Sequence, residues 1–129
     1  MTQEDKDLLL KDLCSRLPYG VILNCCNIVG EKLTAIDENG LINHDYDIDE
    51  VKPYLFPLSS MTEEQKKYIT DRWGINEDFD FEINPDWGEY FVDLGDVVDY
   101  VNWLIANHFD YRNLINKNLA IDCTNLNIY

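Results

Sequence analysis

Chemistry in this chain would have to come from its carboxylates, four cysteines and two histidines, since 25 Asp and Glu outnumber 10 Lys and Arg. Clustered carboxylates suggest calcium first. From Asp78, the EF-hand template finds Asp80, Glu82 and Glu89 in ligand positions, but Ile83 stands where the sharp turn needs Gly, and Pro85 follows. The run Asp45-Tyr46-Asp47-Ile48-Asp49 starts equally well and ends on Phe56, where a bidentate carboxylate is required. Cys14, Cys25, Cys26 and Cys123 form no C-x-x-C pair and have no ligand spacing to His44 or His108. No G-x-S-x-G elbow, P-loop or G-x-G-x-x-G is present. Ser59-Ser60 sits where a helix cap is wanted, and a triad of Cys26, His44 and an Asp rests on no motif. The expectation is no catalytic residue, no metal site and no cofactor.

What remains is the distribution of charge. Residues 73–111 hold ten carboxylates (Glu77, Asp78, Asp80, Glu82, Asp86, Glu89, Asp93, Asp96, Asp99, Asp110) and no Lys or Arg. Residues 33–51 repeat the bias with Asp37, Glu38, Asp45, Asp47, Asp49 and Glu50. A net charge of −15 excludes direct nucleic-acid binding and anionic membrane surfaces, both of which need Lys and Arg. It points to a basic protein as partner. The expected interaction surface is Glu77, Asp78, Asp80, Glu82, Asp86, Trp87 and Glu89. On a strand, same-face carboxylates recur every ~6.7 Å, against one phosphate per ~3.4 Å along a DNA strand. Mimicry of nucleic acid therefore needs neighbouring acids to fill the gaps.

The elements that position these groups follow from periodicity. A helix is expected from Gln3 to Leu17, capped by Thr2 with Asp5 at the capping-box position, burying Leu9, Leu10, Leu13 and Leu17 and ended by Pro18 and Gly20. Acids crowd its first turn, and Lys11 and Arg16 suit the far end of its dipole. Strands are expected at Tyr19–Cys26, Glu31–Asp37 and from Leu41 to Tyr46 or Ile48, the last two joined by a type I′ turn at Asn39-Gly40. Val51–Ser60 carries Pro53 and Pro57 and reads as neither helix nor regular strand. Its Tyr54, Leu55, Phe56 and Leu58, with Trp87, are expected to pack a second helix against the sheet. That helix starts at Ser60, or at Thr62 with Gln65 closing a capping box, and ends at Trp73 before Gly74. Met61, Tyr68, Ile69 and Trp73 supply its apolar side.

Asp78–Ile83 alternates perfectly and predicts a half-buried strand; Asn84-Pro85-Asp86 turns, and Glu89–Asp93 pairs back. A third helix, Asp96 to about His108, is capped by Asp93 or Asp96 and lined by Val97, Val98, Val101, Leu104 and Ile105, with His108 favoured by the dipole at its end. A helical turn at Tyr111–Asn116 and a strand at Leu119–Cys123 close the chain. The fold class is α+β: a small, mainly antiparallel sheet (a meander around the Asn-Gly hairpin plus a second hairpin) packed by three main helices in a single domain, 1–129. The opening residues, Met1–Asp7, lack the basic and apolar regions of a secretory signal, and no stretch approaches the ~20 apolar residues of a membrane span. A cytoplasmic protein with reduced cysteines is the expectation.

Three stretches, EDKDLLLKDLCSRLPYGV, VKPYLFPLSSMTEEQKKYI (Val51–Ile69) and YVNWLIANHFDYRNLINKNLAI (Tyr100–Ile121), resemble an uncharacterised family of short acidic proteins of gut anaerobic bacteria and their phages or mobile elements. The resemblance covers the two ends and the centre, leaving Asn24–Asp47 and Asn76–Asp93 outside it. It implies a bacterial or phage-encoded accessory protein and assigns no catalytic residue. The resulting expectation is a non-enzymatic, acidic protein-interaction domain. The alternatives are a small enzyme or ligand-binding protein whose site forms only in three dimensions, and a nucleic-acid-mimic inhibitor of a basic protein.

Overall fold

The computed structural model describes residues 1–81 and 94–129. They build an α+β fold of three helices and an open, mostly antiparallel four-stranded sheet. Helix α1 spans Gln3–Arg16, with Thr2 Oγ1 accepting the Asp5 amide at 3.0 Å. Leu9 and Leu13 are fully buried, and so, on the same stripe, are Asp12 and Arg16. Arg16 is thus no surface partner of the dipole; the helix buries an ion pair along with its leucines.

Strands β1 (Ile22–Cys25) and β2 (Ile28–Lys32) form the sheet's hairpin. Its two-residue turn is Cys26-Asn27, with φ of 52° and 66°, the left-handed pair a type I′ turn requires. Gly30, at φ 96°, is the extra residue of a bulge where the register shifts between Leu23 and Asn24. The Asn39-Gly40 turn forms outside the named strands, between the isolated bridge partners Ile36 and Ile42. Its positive φ falls on Gly40 (77°) and not on Asn39, so it is not type I′. The Asp37 carboxylate shapes it by accepting the amides of Asn39 and Leu41 at 2.9 and 3.0 Å. The expected third strand reduces to single bridges at Ile42 and Tyr46, because Asn43 and His44 take positive φ.

Strand β3 (Val51–Leu55) corrects the reading of the proline segment: it lies inside the sheet, in the order β2-β1-β3-β4. Cys26 N donates to Glu50 O, and antiparallel pairs alternate, so Leu23–Pro53 falls at a non-hydrogen-bonded position. Pro53 therefore withholds no bond from β1. Strand β4 (Ile121–Asp122) runs parallel to β3, pairing Tyr54 with Ile121.

Helix α2 (Glu63–Trp73) has the full capping box of Thr62 and Gln65 and ends at Gly74, φ 68°. Helix α3 (Leu94–Ala106) buries Tyr100, Leu104 and Ile105, while Val98 is exposed. The buried side is therefore centred nearer Tyr100 than the valine pattern predicts. Residues 111–116 form turns and no helix. Leu9, Leu13, Leu23, Val51, Leu55 and Leu114 centre one core cluster; Met61, Ile69, Ile75, Tyr100, Leu104 and Phe109 centre the other. Tyr54 and Leu55 are buried and Phe56 and Leu58 partly so, as expected of the aromatic segment. Among the described residues, no helix is long and apolar enough to cross a membrane.

Candidate functional site

Of the seven expected interaction residues, Glu77, Asp78 and Asp80 are described and exposed; Glu82, Asp86, Trp87 and Glu89 lie outside the described residues. So do Asn84-Pro85-Asp86, Glu89–Asp93 and the end of the predicted 78–83 strand. The described part of that strand is a turn. Asn76 Oδ1 accepts the amides of Asp78 and Asp80 at 2.9 and 3.2 Å, and Asn76 N donates to Asp80 O at 2.8 Å. Phe79 takes φ 63°, and pairing is limited to a bridge between Ile75 and Phe81. An Asn side chain satisfying two amides outcompetes the strand that alternation predicts. Phe79 and Phe81 still pack into the second core cluster, and the Tyr100 hydroxyl donates to Phe79 O at 2.8 Å. Burial, aided by the Asp80 charge, pushes that phenol up to about 12.

The turn forms one wall of a groove of about 980 Å³, whose other wall is α2. Ile69 and Ile75 line it but are each only 1% exposed; of its apolar side chains the half-buried Phe79 is the one that solvent reaches. Glu63, Asp71, Glu77 and Asp78 line it with Lys66 and Lys67. Lys66 Nζ is held 3.3 Å from Glu63 Oε1, whereas Glu77 and Asp78 pair with no base among the described residues.

A second acidic group sits at the 3₁₀ turn Ile48–Glu50. The carboxylates of Asp47, Asp49 and Glu50 come within 4.8 Å of one another. Two of them are committed locally: Asp47 and Glu50 cap each other's amides, and Glu50 Oε2 accepts from Cys26 Sγ at 3.1 Å. That bond, with burial and nearby acids, raises the Cys26 thiol above its ordinary range. Burial, with Glu31, pushes Cys25 up to about 11. Neither cysteine is poised as a nucleophile. His44, exposed, lies 3.8 Å from Asp37, whereas the Cys26 thiol is engaged by Glu50.

The sequence does not foretell a buried polar junction between α1 and residues 108–112. Arg16 Nε and Nη2 reach Asp12 at 2.7 and 3.3 Å, and Nη2 also donates to Phe109 O at 2.8 Å. Arg112 Nε lies 3.2 Å from Asp12 Oδ1 without an aligned hydrogen bond, its guanidinium over the Tyr111 ring. His108, left-handed at φ 64° beyond α3, stacks on Tyr129 with centroids 3.7 Å apart. Burial, then the Arg16 charge, lowers it to about 4, so it is neutral and takes no advantage of the helix dipole. Asp110 belongs inside as well, accepting the amides of Leu114 and Ile115 at 2.8 and 2.9 Å, and drops out of the acidic surface. The i,i+4 spacing of Asp12 and Arg16 on the leucine stripe was the available signal for this junction.

The chain matches no family model, no curated protein and no solved structure.

Proposed function

We propose that this chain is a non-enzymatic, cytoplasmic protein-interaction domain, an accessory protein of bacterial or phage origin, that docks a basic protein through the acidic surface of its later half. The carrying observation is that Glu77, Asp78, Asp80, Asp96 and Asp99 are exposed and form no ion pair with any described Lys or Arg. Unneutralised charge of one sign speeds encounter with a partner of the other and selects against acidic surfaces. Four free cysteines, two of them buried, are compatible with a reducing compartment. The nucleic-acid-mimic reading finds less support, since Asp78 and Asp80 sit on a turn held by Asn76 and not on a strand with a repeating row of charges.

The test is retention of host proteins on the immobilised chain at ~0.1 M and ~1 M salt, where the screening length falls from ~10 Å to ~3 Å. Basic proteins retained at the lower salt and released at the higher support the reading. Equal retention at both, or retention of acidic proteins, contradicts it.

A further inference from the structure

The groove between α2 and the 75–80 turn has two features that a flat acidic patch lacks: a volume walled on two sides and an accessible apolar ring, Phe79. Its volume of about 980 Å³ is at the upper end of ligand sites, which run ~300–1,000 Å³. Along its rim stand Glu77 and Asp78, whose carboxylates pair with no base among the described residues, with Asp71 on the helix side. With Lys66 held by Glu63, Lys67 is left to oppose three carboxylates.

An arginine side chain fits both features at once. Its three-carbon stem covers apolar surface while its planar guanidinium presents a fork of donors to carboxylates. Lysine offers a stem but a point charge, and a small anion meets carboxylates of its own sign. We propose that this groove holds an arginine-bearing extended segment of the partner protein, its guanidinium groups on Glu77 and Asp78 and a stem over the half-buried Phe79 ring. The proposal rests on the acidic-docking reading and narrows it to one place and one side-chain type. Asn76 contributes by fixing the turn, since the amides of Asp78 and Asp80 both end on its side chain.

The test is fluorescence anisotropy with labelled nona-arginine and nona-lysine peptides on the full chain at ~50 mM salt. Three variants are compared: Glu77→Gln/Asp78→Asn at the rim; Asp47→Asn/Asp49→Asn/Glu50→Gln at the acidic turn of the other core cluster; and Lys67→Glu, which adds a carboxylate to the groove. Amides preserve side-chain shape and the mutual cap of Asp47 and Glu50, and circular dichroism checks that each variant folds. The expected result is that nona-arginine binds more tightly than nona-lysine. The rim variant then weakens it at least fivefold, the 47–50 variant changes it less than twofold, and Lys67→Glu tightens it. Equal weakening by the rim and 47–50 variants overturns the groove while leaving the acidic-docking reading intact. Failure of both peptides to bind the unaltered chain overturns both.

Discussion

Replacing Arg16 with Met tests what holds α1 to the rest of the molecule. The substitution keeps an unbranched apolar stem and deletes the bonds to Asp12 at 2.7 and 3.3 Å and to Phe109 O at 2.8 Å. Asp12, 0% exposed, then keeps the less well aligned Arg112 Nε at 3.2 Å. Breaking one side of a buried pair costs ~3–5 kcal/mol. Because Arg112 still opposes the charge, the lower end applies, about 3 kcal/mol. With unfolding entropy of ~2.1 cal/mol/K per residue over 129 residues, that lowers Tm by about 11 °C. Removing both charges in Asp12→Leu/Arg16→Met should cost less than the two single changes together, by about 2 kcal/mol, since neither Asp12 nor Arg16 is left without the other, and the partner that Arg112 loses is lost equally in Asp12→Leu alone. Urea unfolding followed by tryptophan fluorescence measures all three variants. A loss below ~1 kcal/mol for Arg16→Met, or simple additivity within ~0.5 kcal/mol, would refute the reasoning.

Three further outcomes are expected. His108 has its pKa lowered to about 4 in the fold and about 6.5 when unfolded, so the unfolded chain binds the proton first as pH falls. Its contribution is whole above pH ~6.5 and disappears on going down through ~4; His108→Asn, which suits the left-handed backbone, should flatten urea midpoints across that window. Tyr129→Phe removes the hydroxyl that accepts from Ile22 N at 2.9 Å and donates to Tyr54 O at 2.8 Å, clipping β1 to β3. It should cost ~1–2 kcal/mol and speed hydrogen exchange at the Ile22 amide. Thr62→Ala breaks the capping box of α2 and should cost ~1 kcal/mol in thermal or urea unfolding, leaving α1 unaffected.

Local chemistry made the helices legible. Thr2, Thr62 with Gln65, and Gly74 act where their side chains or backbone freedom place them, since caps are settled within one turn of chain. The sheet was less legible because its pairings are long-range. Asn27 and Gly30 signal a turn after the first strand, but not that Cys26-Asn27, rather than Asn39-Gly40, makes the sheet's hairpin; the pairing of Cys25 with Ile28 selects it. Pro53 reads as a strand breaker until its partner Leu23 shows that its missing donor lies off the ladder. At the site, composition correctly singled out Glu77, Asp78 and Asp80 as exposed, but their alternation pointed to a strand where Asn76 makes a turn. The junction of Asp12, Arg16, Arg112 and His108 brings residues from opposite ends of the chain together, a meeting that periodicity does not encode.

The proposed docking surface is tested most directly by amide chemical shifts of the isotope-labelled chain during titration with nona-arginine. Shifts concentrated on residues 66–80, with the 47–50 turn unmoved, are the predicted result. Equal shifts at both acidic turns, or shifts confined to 47–50, would contradict it.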